Sequence, residues 1–226
     1  MNLAIIPARG GSQRIKNKNI KKFYNKPILY WTLRTLQKSK IFSKIVITTD
    51  SINIGLIAQK LGFDYVISRP LNLSDNNTPT KPVIKHAIKI LKKRFNFKNV
   101  CCVYPCNPFL SSIDLKKTLK ILKKNKKKFI VPVSEYSHPV QRSFKLNFKK
   151  KIIFFYKKYL SKRTQDLTKS YHDVGQFYWA TVNTWLNKKE ILSNSIGFPI
   201  SKWRSVDIDN LQDWKKAELL FKVIKN

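Results

Sequence analysis

The 226-residue chain has few cysteines, few acidic residues and no long apolar run. Its three cysteines all lie within residues 101–106, which is not the disulfide framework of a small secreted domain. No apolar stretch approaches the roughly 20 residues that a membrane-spanning helix needs. Residues 1–7 are too short, and lack the basic start, for a signal peptide. We therefore expect a cytoplasmic protein without a membrane partner.

Acidic residues number only 12 against 46 Lys and Arg, which gives a formal net charge of +34. Such a balance is compatible with a basic nucleic-acid-binding module, the alternative class of function. However, only eight of these cations are Arg, the residue that reads phosphates and guanine edges bidentately. The lysines occur as scattered pairs, together with the many Ile, Asn, Phe and Tyr that AT-rich codons specify. We therefore expect no nucleic-acid partner, although the positive charge would attract small anions.

Strand and helix patterns alternate along the chain. The predicted strands span residues 3–7, 44–49, 65–67, 100–104, 129–133 and 176–182. The predicted helices span residues 28–37, about 51–62, 80–93, 114–124 and 210–224. This order indicates an α/β fold with a mostly parallel sheet flanked by helices. Residues 134–173 alternate like a hairpin, so we expect a single domain over residues 1–226 with a small β-rich insertion at 134–173.

The loop after the first strand has a composition suited to triphosphate binding. Gly10 and Gly11 allow the backbone to approach phosphate oxygens and to point N–H groups at them, and Arg9, Arg14 and Lys18 add positive charge. The loop is neither a Walker loop nor a Gly-x-Gly-x-x-Gly fingerprint. An ordinary Gly-Gly turn in a Lys-rich chain is the alternative.

Two aspartates stand two positions apart near the carboxyl terminus, in the apolar stretch Val206-Asp207-Ile208-Asp209. At the end of a strand both carboxylates would lie on one face. Mg²⁺ prefers one or two carboxylates together with substrate phosphates. We therefore predict Asp207 and Asp209 as magnesium ligands. Capping of the last helix by Asp209 or Asn210 is the alternative.

Several motifs resemble the acylneuraminate cytidylyltransferases. The opening motifs are Ile-Ile-Pro-Ala-Arg-Gly-Gly-Ser at residues 5–12, Lys-Asn-Ile at 18–20 and Lys-Pro-Ile at 26–28. Thr49-Asp50, Ser68-Arg69-Pro70, Asp75 and Thr78-Pro79-Thr80 extend the resemblance over most of the chain. The motifs at residues 138–142, 163–167 and 171–179 are similar to the branch of this family that uses pseudaminic acid. Gln13 departs from the basic residue usual in the family, and Ala180 departs from the usual Gly.

The resemblance implies a Rossmann-like nucleotidyltransferase fold and an enzyme with Mg²⁺ as its cofactor. Such an enzyme transfers CMP from CTP to a nine-carbon sialic-acid-like sugar and releases pyrophosphate. Pseudaminic acid is the expected sugar, and N-acetylneuraminic or legionaminic acid is the alternative. The resemblance also implies a homodimer, with the insertion at 134–173 as the interface and as part of the sugar site.

The resemblance, with the chemistry of the side chains, supplies the candidate site residues. Catalytic roles are expected for Arg9, Lys18 and Asp207. The expected CTP-binding residues are Ala8, Arg9, Gly10, Gly11, Ser12, Arg14, Lys18, Asn19, Arg69, Thr78 and Thr80, with Arg69 and Thr80 facing the cytosine base and the ribose. The expected sugar-binding residues are Tyr104, Gln141, Arg142, Arg163, Gln165, Tyr171, His172, Gln176 and Tyr178. Arg163 or Arg142 could hold the sugar carboxylate bidentately, unless Arg163 pairs with Asp166 and only orders the insertion.

Overall fold

The computed structural model describes residues 1–225, with side chains through residue 224. The strands in that part of the chain are β1 (Asn2–Pro7), β2 (Lys22–Phe23), β3 (Lys26–Pro27), β4 (Lys44–Thr49), β5 (Val66–Ser68), β6 (Asn99–Val103), β7 (Phe129–Glu135), β8 (Phe144–Leu146), β9 (Ile152–Phe154), β10 (Tyr171–Asp173), β11 (Phe177–Thr181) and β12 (Ser195–Pro199). The α-helices are α1 (Ile28–Ser39), α2 (Ile52–Lys60), α3 (Thr80–Lys92), α4 (Ser112–Lys124), α5 (Val182–Asn187) and α6 (Leu211–Lys225).

A central sheet contains strands in the order β5, β4, β1, β6, β11, β7, β12. Val133 of β7 pairs with both β10 and β12, so these two strands lie on opposite edges of β7. β10 and β11 therefore share one edge of β7. Neighbouring strands are parallel except where β10 or β11 takes part. The predicted mostly parallel sheet is thus confirmed.

A bulge separates β10 from β11. Asp173 lies opposite Val133, and Trp179 lies opposite Ile130. The chain therefore advances six positions from Asp173 to Trp179 while β7 advances only three. The extra residues include Gly175, whose φ of 63° is a left-handed conformation that Gly adopts without steric penalty. Residues 174–176 of the bulge line a cavity at this edge of the sheet.

Alternate residues of the buried strands face two helical layers. Ile6 packs with Leu33 of α1 and with residues of α2 and α4, whereas Ile5 packs with Ile84 of α3 and with α5. This alternation follows from the period of two in a strand and buries both faces of the sheet. A third cluster packs α6 against residues 15–28, which follow the first loop. That contact brings the segment before α6 beside the first loop.

The structure confirms most predicted elements and corrects three points. The sequence patterns did not predict β2, β3, β10, α5 or β12. The ends of the predicted insertion belong to the central sheet, as parts of β7 and β10, so only residues 136–170 lie outside it.

The prediction that residues 206–209 form a strand end is wrong. These residues are coil, because Asn210 and Asp213 cap α6 through reciprocal backbone hydrogen bonds.

The hairpin predicted within the insertion is confirmed as the antiparallel pair β8 and β9. Among the described residues, no helix is both long enough and apolar enough to cross a membrane.

Candidate functional site

Two adjoining cavities lie at the carboxyl ends of β1 and β6. β4 and β5 lie on one side of β1 in the sheet, whereas β6, which comes later in the chain, lies on the other side of β1. This reversal of strand order opens a crevice at the carboxyl ends of the strands. The first cavity, of about 290 Å³, is lined by residues that follow β1, β5 and β6. The second, of about 300 Å³, lies between residues 104–107, the bulge and residues 206–209. Lys18, Tyr104 and Cys106 line both cavities.

The first loop is fixed to the end of β4 by Asp50. The N–H of Gly10 donates to Asp50 Oδ1 at 2.9 Å. A Cβ on Gly10 would stand 2.9 Å from Ser51 Cβ, whereas a Cβ on Gly11 would meet nothing within 4 Å. The N–H of Gly10 is therefore already bonded within the protein. This corrects the expectation that both glycines present N–H groups to phosphate.

Arg9 spans the first cavity. Its guanidinium donates to the carbonyl oxygen of Asp75 at 2.9 Å and to Asn76 Oδ1 at 2.6 Å. Asn19 Nδ2 donates to the carbonyl oxygen of Arg9 at 2.7 Å. Asp75 in turn accepts hydrogen bonds from the N–H and hydroxyl of Thr78, and these bonds lower the pKa of Asp75. Arg9 thus links the loop after β1 to the loop after β5 across the cavity mouth.

Arg69 is a buried cation in the wall of the first cavity. Its side chain donates to the carbonyl oxygen of Thr48 at 2.6 Å, but its Nε has no partner among the described residues. Burial lowers the pKa of Arg69, and the nearby Asp50 opposes that change. A buried donor without an acceptor is costly, so this position suits a ligand that supplies an acceptor oxygen or nitrogen.

Tyr104 stands between the two cavities. Its hydroxyl is 2.5 Å from Thr80 Oγ1, and its ring meets that of Tyr178 edge to face, with centroids 5.8 Å apart. Tyr178 is buried in β11 and donates to Asp173 Oδ2 at 2.5 Å. Burial raises the pKa of both Tyr104 and Tyr178, so both hydroxyls stay protonated at neutral pH.

Asp207 and Asp209 lie in the wall of the second cavity. Asp209 pairs with Arg14 at 2.8 Å and with Lys18 at 3.7 Å. Asp207 is exposed and has no ion pair or hydrogen bond with any described residue. No group of three or more His, Cys, Asp or Glu side chains in the described part of the chain could hold a metal ion. Two carboxylates, one of them unpaired, fit Mg²⁺, which takes its other ligands from water and phosphate.

Buried polar contacts hold the second cavity in shape. Gln176 Nε2 donates to the main-chain carbonyl oxygen of Arg204 at 2.5 Å, and the main-chain carbonyl oxygen of Gln176 accepts from the N–H of Tyr104. Arg204 also pairs with the buried Asp114 of α4. These contacts fix the segment before Asp207 on the sheet.

The predicted nucleotide residues mostly come together. The first cavity is lined by Arg9, Ser12, Lys18, Asn19, Arg69, Thr78, Thr80 and Tyr104. Ala8 is fully buried just behind it, and Gly10 and Gly11 form the loop at its edge. Arg14 reaches the site through Asp209, with most of its side chain exposed.

The predicted sugar residues divide into two groups. Tyr104 and Gln176 line the second cavity, and Tyr178 lies beneath Tyr104. The others lie outside both cavities. Gln141 donates to the main-chain carbonyl oxygen of Thr168, and Arg142 donates to that of Lys162. Arg163 pairs with Asp166, and Gln165 lines a separate pocket. Tyr171 lies on β10, and the ring of His172 lies against that of Tyr136.

Four residues at the site have roles that the sequence analysis did not assign. Asp50 holds the first loop, Asn76 receives Arg9, Asp173 receives Tyr178 and Cys106 lines both cavities. The motifs Thr49-Asp50 and His172-Asp173 were visible signals for two of them. Burial raises the pKa of the Cys106 thiol to about 12, so the thiol is protonated at neutral pH.

Comparison with known proteins gives a consistent result. The cytidylyltransferase family matches residues 3–192 of this chain. A pseudaminic acid cytidylyltransferase of Campylobacter jejuni serotype O:2 is 38% identical over 224 residues, which cover 98% of this chain and 97% of that protein. An N-acylneuraminate cytidylyltransferase of Escherichia coli O18:K1:H7 is 30% identical over 95% of this chain and 51% of that protein.

A solved structure supports the predicted fold class. The CMP:2-keto-3-deoxy-manno-octonic acid synthetase complexed with CTP superposes with a TM-score of 0.72, covering 99% of both chains at 13% identity. At that identity the likeness concerns the fold alone. The predicted Rossmann-like nucleotidyltransferase fold is confirmed.

Proposed function

This chain belongs to the cytidylyltransferase family, and from that premise we propose that it transfers CMP from CTP to pseudaminic acid and releases pyrophosphate. The observation that carries the choice of sugar is the 38% identity to the Campylobacter jejuni enzyme along nearly the whole of both chains. N-acetylneuraminic or legionaminic acid remains the alternative sugar. Because CTP is a cytoplasmic nucleotide, we infer that the reaction takes place in the cytoplasm.

We propose that CTP occupies the first cavity. Lys18 is placed to reach the triphosphate, since its side chain lines both cavities and is only 21% exposed. Arg9 and the first loop add positive charge and N–H donors near the phosphates. The buried Arg69 offers an unpaired donor, Nε, to an acceptor on cytosine. These groups stabilise negative charge on the departing pyrophosphate and hold the α-phosphorus in place.

We propose that the sugar acid lies in the second cavity, against Gln176 and Tyr104. A hydroxyl of the sugar then attacks the α-phosphorus from the side opposite the pyrophosphate. A new oxygen–phosphorus bond forms as the bond from the α-phosphorus to the oxygen shared with the β-phosphate breaks, and the hydroxyl proton passes to water or to the departing pyrophosphate. Lys18, at the boundary between the cavities, lies beside the atoms that react.

Asp207 and Asp209 are the residues that would hold Mg²⁺. A bound Mg²⁺ neutralises charge on the phosphate oxygens. Asp207 has a free carboxylate for this role, and Asp209 sits where Arg14 and Lys18 balance its charge. In the protein itself, these two cations orient Asp209 toward the first loop.

We propose a homodimer formed through the insertion at 134–173. The hairpin of β8 and β9 and its surroundings expose large apolar side chains: Phe144, Leu146, Phe148, Ile152, Ile153 and Phe155. Such a surface is typical of a subunit interface. Sedimentation velocity should show a dimer that Phe148→Glu converts to a monomer. A monomeric wild-type protein would contradict this proposal.

One experiment tests the proposed reaction directly. The purified protein is incubated with CTP, Mg²⁺ and each of three sugar acids, pseudaminic, N-acetylneuraminic and legionaminic acid, and products are identified by mass spectrometry. We expect CMP-pseudaminic acid to form fastest, and UTP to replace CTP poorly. Faster formation of another CMP-sugar would replace the proposed substrate, and equal use of UTP would contradict the assignment of the base pocket.

A further inference from the structure

The peptide unit that joins Arg9 to Gly10 in the first loop is hydrogen-bonded at both of its ends. Its carbonyl oxygen, which belongs to Arg9, accepts from Asn19 Nδ2 at 2.7 Å. Its N–H, which belongs to Gly10, donates to Asp50 Oδ1 at 2.9 Å. Asn19 lies in a single helical turn after the loop, and Asp50 follows β4. Because a peptide unit is planar, the two bonds together hold the direction of its C=O and N–H groups.

The amide of Asn19 is itself held in one orientation. Asn19 is 5% exposed, so its amide is largely shielded from water. A main-chain carbonyl only accepts, so the amide nitrogen must face Arg9. The amide oxygen then accepts from the thiol of Cys106 at 3.1 Å. Burial raises the pKa of that thiol to about 12, so the thiol keeps the proton that it donates at neutral pH.

The next peptide unit, which joins Gly10 to Gly11, leaves its N–H group free. Its carbonyl oxygen accepts from the N–H of Ser12 at 2.9 Å. The N–H of Gly11 has no hydrogen bond with any described residue, and a Cβ on Gly11 would meet nothing within 4 Å. Of the two glycine N–H groups in the loop, that of Gly11 is therefore the one available to a ligand, and its direction depends on the peptide unit before it.

We propose that Asn19 is a positioning residue which, together with Asp50, holds the peptide unit between Arg9 and Gly10 so that the Gly11 N–H is directed at the triphosphate. This inference rests on the proposed function, in which CTP occupies the first cavity. A loop that is fixed before binding offers its donors to the ligand without the cost of ordering them. Asn19 also lines the first cavity, so a direct contact between Asn19 and CTP is the alternative that the test has to separate.

Variants at the two ends of the peptide unit test the proposal. Asn19→Leu keeps a similar shape and removes both hydrogen bonds of the amide. Asp50→Leu removes the acceptor at the other end, whereas Asp50→Asn keeps an oxygen there. The matched control is Asn2→Leu, at the amino end of β1 and outside both cavities. The amide of Asn2 also donates to a main-chain carbonyl, that of Ile41 at 3.0 Å, and accepts from Asn99 at 2.9 Å. Calorimetry without the sugar measures the Kd of CTP, and thermal unfolding measures stability.

We expect Asn19→Leu and Asp50→Leu each to raise the Kd of CTP about tenfold, a typical loss for one hydrogen bond in a binding site. Asp50→Leu removes a negative charge, which by itself would favour the CTP anion, so a loss of affinity there has to come from the loop. The double variant should bind CTP about as well as the weaker single variant, because both changes release the same peptide unit. Asp50→Asn should recover most of the affinity, and Asn2→Leu should stay within about twofold of the wild type.

Three results overturn the proposal. The first is a wild-type Kd for Asn19→Leu, and the second is an equal loss of affinity in Asn2→Leu, which would indicate a general loss of structure. The third is a loss of about a hundredfold in the double variant, since independent effects add and a direct contact of Asn19 with CTP would be independent of Asp50. If Asn19→Leu does not fold, Asn19→Ala, which cannot crowd the loop, repeats the test.

Failure of the proposed function gives a different result. A wild-type protein that binds CTP yet forms no CMP-sugar contradicts the proposed reaction and leaves the comparison of Kd values valid. A wild-type protein that does not bind CTP contradicts both.

Discussion

Asp207 and Asp209 are two positions apart, yet their surroundings differ in charge. Arg14 and Lys18 balance the charge of Asp209, whereas the exposed Asp207 contacts no described residue through a hydrogen bond or ion pair. Asn210 and Asp213 cap α6, so Asp207 is not needed for that purpose. The cap that the sequence analysis gives as the alternative is made by Asn210, and no hydrogen bond in the described part of the chain ties the Asp207 carboxylate to α6.

Replacing Asp207 should strongly reduce activity without changing stability. We expect Asp207→Asn to lower kcat/KM by at least about a hundredfold, because it weakens the hold on a metal that stabilises phosphate charge. Its melting temperature should match that of the wild type, since no folded-state contact is lost. Asp64→Asn, an exposed aspartate outside both cavities, is the control and should keep full activity. A fully active Asp207→Asn protein would refute the ligand role, with rates measured over a range of Mg²⁺ concentrations.

Arg163 is already engaged within its own chain. Its Nε and Nη2 donate to the two carboxylate oxygens of Asp166 at 2.8 and 3.2 Å. Most of its side chain is exposed, at 73%, and it lies in neither cavity. The structure thus shows the local arrangement that the sequence analysis gives as the alternative to carboxylate binding.

We accordingly expect Arg163→Lys to leave the KM for the sugar within about twofold. An exposed ion pair contributes about 0–1 kcal/mol, so Arg163→Ala and Asp166→Asn should lower the melting temperature slightly and equally. Steady-state kinetics with the sugar varied at saturating CTP decides the matter. A ten- to hundredfold rise in the sugar KM for Arg163→Lys would restore the role of binding the sugar carboxylate.

At the scale of elements, the first loop depends on the start of α2. Gly10 is held between Asp50 and Ser51, which caps α2 by accepting the N–H of Ile54. Gly11 projects into open space. The two glycines therefore serve different purposes, although they are adjacent in the sequence.

This difference predicts unequal effects of alanine. Gly10→Ala would place a Cβ against Ser51 and push the loop from its site, so we expect a loss of about 1–3 kcal/mol of stability and weaker CTP binding. Gly11→Ala should keep the wild-type melting temperature, since its Cβ meets no atom. Thermal unfolding with and without CTP measures both effects. Equal melting temperatures for the two variants would show that the close approach at Gly10 is unimportant.

For the whole molecule, the net charge of +34 raises the question of nucleic-acid binding again. We expect affinity for duplex DNA to fall steeply with salt and to be the same for unrelated sequences, because counterion release alone would drive it. Fluorescence anisotropy from 50 to about 200 mM salt, with several unrelated duplexes, measures this. A preference of roughly a thousandfold for one sequence would instead indicate a specific nucleic-acid site.

The local sequence patterns determined the order of elements. Apolar periodicity, apolar runs and capping residues are patterns that extend over about ten residues of sequence. They therefore predicted β1, β4, α1 and α4 to within a few residues of their ends. The short motif after β1 likewise indicated a phosphate-binding loop, and the loop does line the first cavity. Both results depend on interactions between near neighbours in the chain.

Only the tertiary structure decided how distant segments meet. Arg14 pairs with Asp209, 195 positions away, and Gly10 bonds to Asp50, 40 positions away. The antiparallel insertion of β11 between β6 and β7 and the contact of Thr80 with Tyr104, 24 positions away, are of the same kind. No local pattern specifies such contacts, because they form when the helices and strands pack together and the whole chain lowers its free energy.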